Sequence, residues 1–283
     1  MRPAAGTGRA DVGGRDLAVN AAIAAEDPTL ETHGFARYSS DEVCSNLSMA
    51  DVRALREPLT RYYADLPLDP NDPQANRYRR YASGVLVPWT QALIWMPGSP
   101  DLEFGTAFDF YQGDHNPEYP GTHRRFPYVD AEILDDPLLR HLVLFDVGKV
   151  LWLDAFTGGP IHVGVHFVKL SVAGWGAEAV SSPNCLHQDG GKFSMYFVHL
   201  LARDNAVGGE NVIASPCCAG RRLEETPLDL IWARFSLEKP LDSYAVYDRR
   251  VSHYVSPVRR GDQPRPGARS AILIGLTPFV QQM

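Results

Sequence analysis

Apolar residues fall into two textures along the chain. In the first, Val52, Leu55, Leu59 and Tyr62 fall on one face of a helix whose N-cap is Ser48, and Pro58 is expected to kink that helix or begin a new turn. A second helix is predicted from Asp136-Pro137, with Pro at its first position, through Leu138, Leu139, Leu142 and Val143. Residues 1 to about 30 are rich in Ala, Gly and Arg without a sustained apolar period and read as a loosely held arm, with a short helix near Leu17 to Ala25.

From about Lys149 the second texture begins: short β-branched and aromatic runs cut by Gly, Pro and Asn. The predicted strands are Val150 to Phe156, Ile161 to Val172, Phe193 to Ala202, Asn211 to Ala214, Ile231 to Leu237, Tyr244 to Tyr247 and Arg269 to Phe279. Strands of this number and length must close on themselves or pack as two sheets to protect their edges. The expected fold is mainly β with flanking α-helices around a double-stranded β-helix (jelly-roll, cupin-like) core. The expected layout is a helical part at about 31–148 and the jelly-roll at about 149–283, together making a single domain of 31–283. A single β-rich domain commonly reaches this size.

Composition narrows the classes. With 45% apolar and 22% charged residues the 283-residue chain belongs with ordinary globular proteins. A net charge of -7 argues against nucleic acid as the main partner, because phosphate binders carry a basic face. The sequence has no apolar stretch of membrane-span length and no apolar core of a signal peptide, so the expectation is a cytoplasmic enzyme with no membrane partner. Cys44, Cys185, Cys217 and Cys218 form neither a disulfide framework nor a C-x-x-C zinc site and read as reduced thiols. Nothing in the chain points to an oligomeric state.

The candidate chemistry starts at Asn184-Cys185-Leu186-His187-Gln188-Asp189-Gly190-Gly191. In an extended chain, residues two apart share a face, so His187 and Asp189 can grip one ion. His253, 66 residues later in Arg250-Val251-Ser252-His253-Tyr254-Val255, is the best third ligand. Two imidazoles and one carboxylate form a facial triad that leaves positions open on ferrous iron. An isolated H-x-D is more often a hydrogen-bonded loop pair. What changes the balance is Arg269, 16 residues beyond His253 at the start of the strand Arg269-Ser270-Ala271-Ile272-Leu273-Ile274, whose fork suits a carboxylate.

His187-x-Asp189, His253 and Arg269 together resemble the motif of iron(II)/2-oxoglutarate-dependent dioxygenases. Leu186 to Gly190, the segment Gly208-Gly209-Glu210-Asn211-Val212-Ile213 and the run Arg77-Tyr78-Arg79-Arg80-Tyr81 resemble the bacterial family typified by L-isoleucine hydroxylase, over roughly Phe35 to Phe279. The resemblance implies Fe(II), 2-oxoglutarate and O2 as cofactors, with ascorbate as an in vitro reductant. It implies hydroxylation of an unactivated C–H bond of a small free L-amino acid, cyclic such as pipecolate or proline, or branched such as isoleucine or leucine, with release of succinate and CO2. It implies iron on His187, Asp189 and His253, and the remote carboxylate of 2-oxoglutarate on Arg269, with Ser270 and Tyr196, or Ser194, adding hydrogen bonds. Asp189 itself favours hydroxylation over halogenation, since related halogenases carry a small residue there.

For substrate contacts the resemblance implies Glu210 for an ammonium, Arg80 for a carboxylate and His166 on a pocket-lining strand, while His162 reads as a core or edge imidazole. Each has a plain structural alternative: a turn charge for Glu210, a solvated basic run for Arg77, Arg79 and Arg80, and a satisfied core ring for His166. Two rival functions use the same architecture. A zinc or manganese isomerase or hydrolase of cupin type has no use for Arg269, and a non-catalytic sugar-binding jelly-roll needs no metal.

Overall fold

The computed structural model describes residues 27–279 apart from His115 and Lys192. The helix expected near Leu17 to Ala25 lies outside the described residues. Helix α1 (Met49–Tyr62) opens on a capping box: Ser48 Oγ accepts from the Asp51 N–H at 3.2 Å while Asp51 Oδ2 accepts from the Ser48 N–H at 3.3 Å. It continues as one element through Pro58, where a kink or a fresh turn was expected, and the neighbouring Leu59 is fully buried. Helix α2 (Pro137–Gly148) starts where Asp136 Oδ1 accepts from the N–H groups of Leu138 (2.8 Å) and Leu139 (3.2 Å). No helix among the described residues is long and apolar enough to cross a membrane, and all four cysteines are free.

The segment Val150 to Phe156 is not a strand. The Leu153 N–H donates to Val150 O at 3.1 Å and the Phe156 N–H to Leu153 O at 2.8 Å, so this stretch winds in tight turns after α2. Apolar residues three apart meet the core in a turn of this pitch, and Val150 and Phe156 are fully buried. An uninterrupted apolar run does not by itself distinguish that geometry from a strand.

The strands are, in chain order, β1 (Phe35–Tyr38), β2 (Arg77–Val87), β3 (Ala92–Trp95), β4 (Ser99–Asp101), β5 (Gly105–Tyr111), β6 (His123–Pro127), β7 (Ile161–Val172), β8 (Met195–Asp204), β9 (Ala206–Gly208), β10 (Asn211–Ala214), β11 (Ile231–Phe235), β12 (Ser243–Tyr247), β13 (Ser252–Val255), β14 (Val258–Arg260) and β15 (Gly267–Pro278). Six of these fifteen precede residue 148, so the stretch expected to be helical also carries a substantial part of the β architecture. The main sheet runs β1-β12-β8-β15-β7-β2-β3, and a smaller sheet runs β11-β10-β13. The basic run at Arg77 to Tyr81 is the first half of β2, paired antiparallel to β7 along its whole length.

The main sheet is covered on both faces. On one face Ile213 of β10 and Phe235 of β11 meet Val198 and Leu200 of β8, Tyr244 of β12 and Ala271 of β15. On the other, Leu59 of α1 and Leu138, Leu139, Leu142 and Val143 of α2 pack with Val165, Phe167, Phe197 and Ile272. Burial on both sides explains why β7, β8 and β15 read as nearly continuous apolar runs instead of alternating ones. The result is a jelly-roll core of two facing sheets with helices outside, which agrees with the expected fold class.

One polar link crosses the helix-side core. His199 of β8, fully buried, places Nδ1 2.7 Å from Ser243 Oγ and Nε2 3.0 Å from Asp146 Oδ2 of α2. Burial raises the Asp146 carboxyl to about 6, with the His199 ring opposing it. Because the folded-state value lies above the unfolded one, this contribution to stability is complete below about pH 4 and is lost as pH rises through about 6. Asp146→Asn keeps an acceptor for His199 and removes the titration. Its melting temperature should therefore gain on the parent protein's between about pH 5 and about pH 8; a difference that stays flat across that range would contradict the assignment.

Candidate metal centre

The site forms where an irregular segment meets the edge of the smaller sheet. His187 and His253 exchange two backbone hydrogen bonds, each N–H donating to the other's carbonyl at 3.0 Å, and their rings lie with centroids 4.3 Å apart. Asp189, two residues on, returns to the same side of the extended segment. Its Oδ1 is 3.6 Å from His187 Nε2 and its Oδ2 is 3.3 Å from His253 Nε2. Ligating atoms from all three residues lie within 4.8 Å of one another.

Neighbouring groups fix how these ligands point. His187 Nδ1 lies 2.8 Å from the Cys185 carbonyl, which can only accept, so the ring carries a proton on Nδ1 and turns Nε2 to the centre. Burial opposes ionisation of Asp189, but His187 and His253 outweigh it and hold its carboxyl well below the usual range. Asp248, 1% exposed, takes the backbone N–H groups of Asp189 (2.8 Å) and Gly190 (2.7 Å) on Oδ2, and its Oδ1 is 3.6 Å from His253 Nε2. Burial first, then the Asp189 charge, raises Asp248. Gln188 turns the other way and donates to the carbonyls of Asp248 and Val251. The loop that carries Asp189 is thus tied to the segment from Asp248 to His253.

These three residues open onto a cavity of about 110 Å³ between the two sheets, whose walls include Val168, Leu170, Val198, Val246, Val255 and Leu273. Arg269 lines it, 5% exposed, with Nε and Nη2 buried and without hydrogen-bond partners. Gly209 lies against this side chain with a left-handed φ of +66°, and a Cβ there would come within 2.9 Å of Arg269 Cδ. Tyr196 and His166 also line the cavity. Ser270 does not, because it follows Arg269 on the strand and faces away. Ser194 sits beneath the loop, 3.5 Å from Thr277 Oγ1, where a Cβ on Gly190 would strike it.

Two expected substrate contacts stand elsewhere. Glu210, in the link between β9 and β10, has a side chain 40% exposed that pairs with Arg234 at 3.5 Å. Arg80 reaches the Tyr128 carbonyl at 2.6 Å and Asp130 at 3.3 Å, on the opposite face of β2 from the cavity. The same alternation brings in Arg79, which the sequence reading passed over, and Arg124 of β6 joins it on the cavity wall. Asp248 was missed as well, because a single acidic residue before Arg249-Arg250 looks like part of a charged turn.

The donor set suits a ferrous ion: two imidazole nitrogens and one carboxylate on one side, with the cavity on the other. His253 Nε2 is buried and makes no well-directed hydrogen bond among the described residues, which is the state of a nitrogen arranged for a metal. The unpartnered guanidinium of Arg269 likewise fits a ligand carboxylate.

Comparison with known proteins places these features in a family. L-isoleucine-4-hydroxylase from Bacillus thuringiensis is 28% identical over 163 residues, 56% of this chain and 62% of that protein, so the match spans less than two thirds of the relative's length. Among solved structures, IDO from Bacillus thuringiensis superposes with a TM-score of 0.66 at 20% identity, covering 89% of this chain and 96% of that one. A bsmA homolog from Methylobium petroleophilum PM1 gives 0.69 at 19% identity, covering 90% and 92%. The Fe(II)/(alpha)ketoglutarate-dependent dioxygenase TqaL gives 0.64 at 14%, covering 96% and 92%. At such identities these structures establish the shared fold. The family model for 2OG-Fe dioxygenases matches residues 60–275, a span that takes in His187, Asp189, His253 and Arg269, and the chain belongs to that family.

Proposed function

We propose that this protein is an iron(II)- and 2-oxoglutarate-dependent dioxygenase that hydroxylates an unactivated C–H bond of a small free L-amino acid. The observation that carries the reading is the convergence, on one small cavity, of a His-Asp-His ligand set and a buried arginine with two unused N–H groups. The amino-acid class is supported by the likeness to L-isoleucine-4-hydroxylase. The proposed substrates are cyclic acids such as pipecolate or proline and branched ones such as isoleucine or leucine.

In this reading His187 Nε2, His253 Nε2 and an oxygen of Asp189 hold the iron. Bound iron, with 2-oxoglutarate and O2, supplies the oxidising chemistry, in which 2-oxoglutarate becomes succinate and CO2 and one oxygen atom goes to the substrate carbon. The Cys185 carbonyl keeps the His187 proton on Nδ1, and Asp248 keeps the backbone of Asp189 and Gly190 in place, so the ligands do not have to reorganise when metal binds. Arg269 holds the remote carboxylate of 2-oxoglutarate and thereby sets the reach of its keto acid toward the ligand set. The apolar walls exclude water, which strengthens these charge contacts and protects the reaction from side products.

The central test is to supply iron, ascorbate and 2-oxoglutarate with a panel of free L-amino acids and to measure succinate. At least one branched or cyclic amino acid should stimulate its release, and the product should carry a new hydroxyl by mass spectrometry. No stimulation across the panel would end the amino-acid reading. Asp189→Ala should abolish both iron retention and turnover; retained iron at full stoichiometry would show that the metal sits elsewhere.

Two further outcomes follow from the supporting residues. Removing the acceptor of two N–H groups in Asp248→Ala should weaken iron affinity by roughly 10–100-fold while the melting temperature of the metal-free protein falls little. Arg269→Ala deletes charge-assisted hydrogen bonds worth roughly 1.5–3 kcal/mol each, so the 2-oxoglutarate concentration giving half-maximal succinate release should rise at least about tenfold. Unchanged 2-oxoglutarate dependence would show that Arg269 does not hold that carboxylate and would place it on another cation of the cavity wall.

A further inference from the structure

A second concentration of positive charge stands on the cavity wall away from Arg269. Asp69 Oδ2, fully buried, lies 2.8 Å from Arg77 Nε, 3.5 Å from Arg79 Nη1 and 3.6 Å from Arg124 Nη2. Three guanidinium groups thus share one carboxylate. Arg77 turns from the cavity, donating to the Val180 carbonyl at 3.0 Å, with Asp72 3.9 Å away toward solvent. Arg79 and Arg124 line the cavity, 7% and 4% exposed. Arg79 Nη2 lies 2.7 Å from His166 Nδ1 and its guanidinium stacks on Phe126 at 4.1 Å. Arg124 Nη1 donates to Gln112 Oε1 at 3.0 Å and its guanidinium stacks on Tyr119 at 4.3 Å. These contacts lock both planes in position, yet Arg79 Nε and Arg124 Nε and Nη2 remain buried without hydrogen-bond partners.

Nearby anions do not complete the cluster. Glu118, whose charge also reaches Arg124, is engaged elsewhere and accepts from Ser182 Oγ at 2.8 Å and from the Asn184 N–H at 2.6 Å. Asp189, in the ligand set, is the one carboxylate lining the cavity among the described residues. Burial, reinforced by Arg124 and Arg77 and opposed by Asp69, lowers Arg79 to about 9, so it stays charged at neutral pH. Buried charges with unused N–H groups are costly unless something anionic meets them, and a planar fork meets a carboxylate best. This cluster is also distinct from the Arg269 end. β7 stands between β2 and β15, so the backbones carrying Arg79 and Arg269 are roughly 10 Å apart.

We infer that Arg79 and Arg124 form the carboxylate-binding end of the substrate site, so that the substrate is a free carboxylic acid and not an amide, an ester or a residue within a peptide or on a carrier. The inference rests on the dioxygenase reading and deepens it. Recognition falls mainly on the carboxylate, because no second carboxylate faces the cavity to pair with an ammonium, and Glu210 is turned away from it.

The test uses the enzyme loaded with iron and 2-oxoglutarate without oxygen. L-isoleucine, L-leucine, L-proline and L-pipecolate are each titrated beside their primary carboxamides by isothermal calorimetry. At least one acid should bind, and its amide should bind at least about tenfold more weakly. Arg79→Gln and Arg124→Gln should each shrink that preference to about twofold or less while leaving 2-oxoglutarate binding as it is. An amide that binds as well as its acid overturns the inference, and that comparison needs no variant to fold. Variants that weaken acid and amide alike would reduce the cluster to a structural role, and variants that weaken 2-oxoglutarate would assign it to the co-substrate. An enzyme that binds iron and 2-oxoglutarate but none of the acids refutes the subsite alone, whereas failure to bind iron or 2-oxoglutarate removes the dioxygenase reading beneath it.

Discussion

Two backbone hydrogen bonds between His187 and His253 set the geometry on which the rest of the site depends. They convert a separation of 66 residues along the chain into neighbouring imidazoles, without either side chain having to make the contact. Because a reciprocal pair of this kind fixes register, it also decides that Asp189, two residues from His187, falls on the metal side. Asp248 secures the same arrangement from the other direction by holding the N–H groups of Asp189 and Gly190. The ligand set is thus a property of backbone pairing first and of side-chain chemistry second.

The two-sided burial of the main sheet gives that pairing a rigid support. α1 and α2 press on one face and the smaller sheet on the other, so β7, β8 and β15 cannot slip by one residue without turning apolar side chains from one packed layer into the other. The same alternation sorts the chemistry along the strands. Arg269 faces the cavity and Ser270 does not; Arg79 faces it and Arg80 does not. Gly209 lets the backbone approach the arginine and Gly208 lets it pass the Pro257 carbonyl, while Glu210 pairs with Arg234 at the surface.

How much of this was legible in the sequence depends on what each signal encodes. His187, Asp189, His253 and Arg269 could be found because residue type, period-two spacing and order along the chain are all local facts. Which of Arg77, Arg79 and Arg80 enters the cavity was not, since the phase of alternation in β2 is set by its pairing with β7. The run looked like a solvated basic patch because its counter-surface, Asp69 with Arg124 and Phe126, comes from other segments. The strands before residue 148 were hidden for a related reason: β2 carries polar inward residues, so its burial does not register as an apolar period. Val150 to Phe156 failed oppositely, apolar enough for a strand but wound by hydrogen bonds three residues apart.

Charge explains why the cavity is specific and not simply apolar. Arg79, Arg124 and Arg269 line it, all nearly inaccessible, and a divalent metal on the His-Asp-His set would add further positive charge. Against these the protein sets Asp189 on the metal and Asp69 behind the Arg79 and Arg124 pair. Asp248 adds little, because burial and the neighbouring Asp189 push it toward its neutral form. Positive charge therefore exceeds negative inside walls that water does not screen, and the excess is divided between two places about two strands apart. On the proposed reading, a single dicarboxylate on Arg269 and the metal would meet one of those places and leave the other with its unused N–H groups. That distribution of guanidinium groups across the sheet is what would then call for two different acids in one turnover.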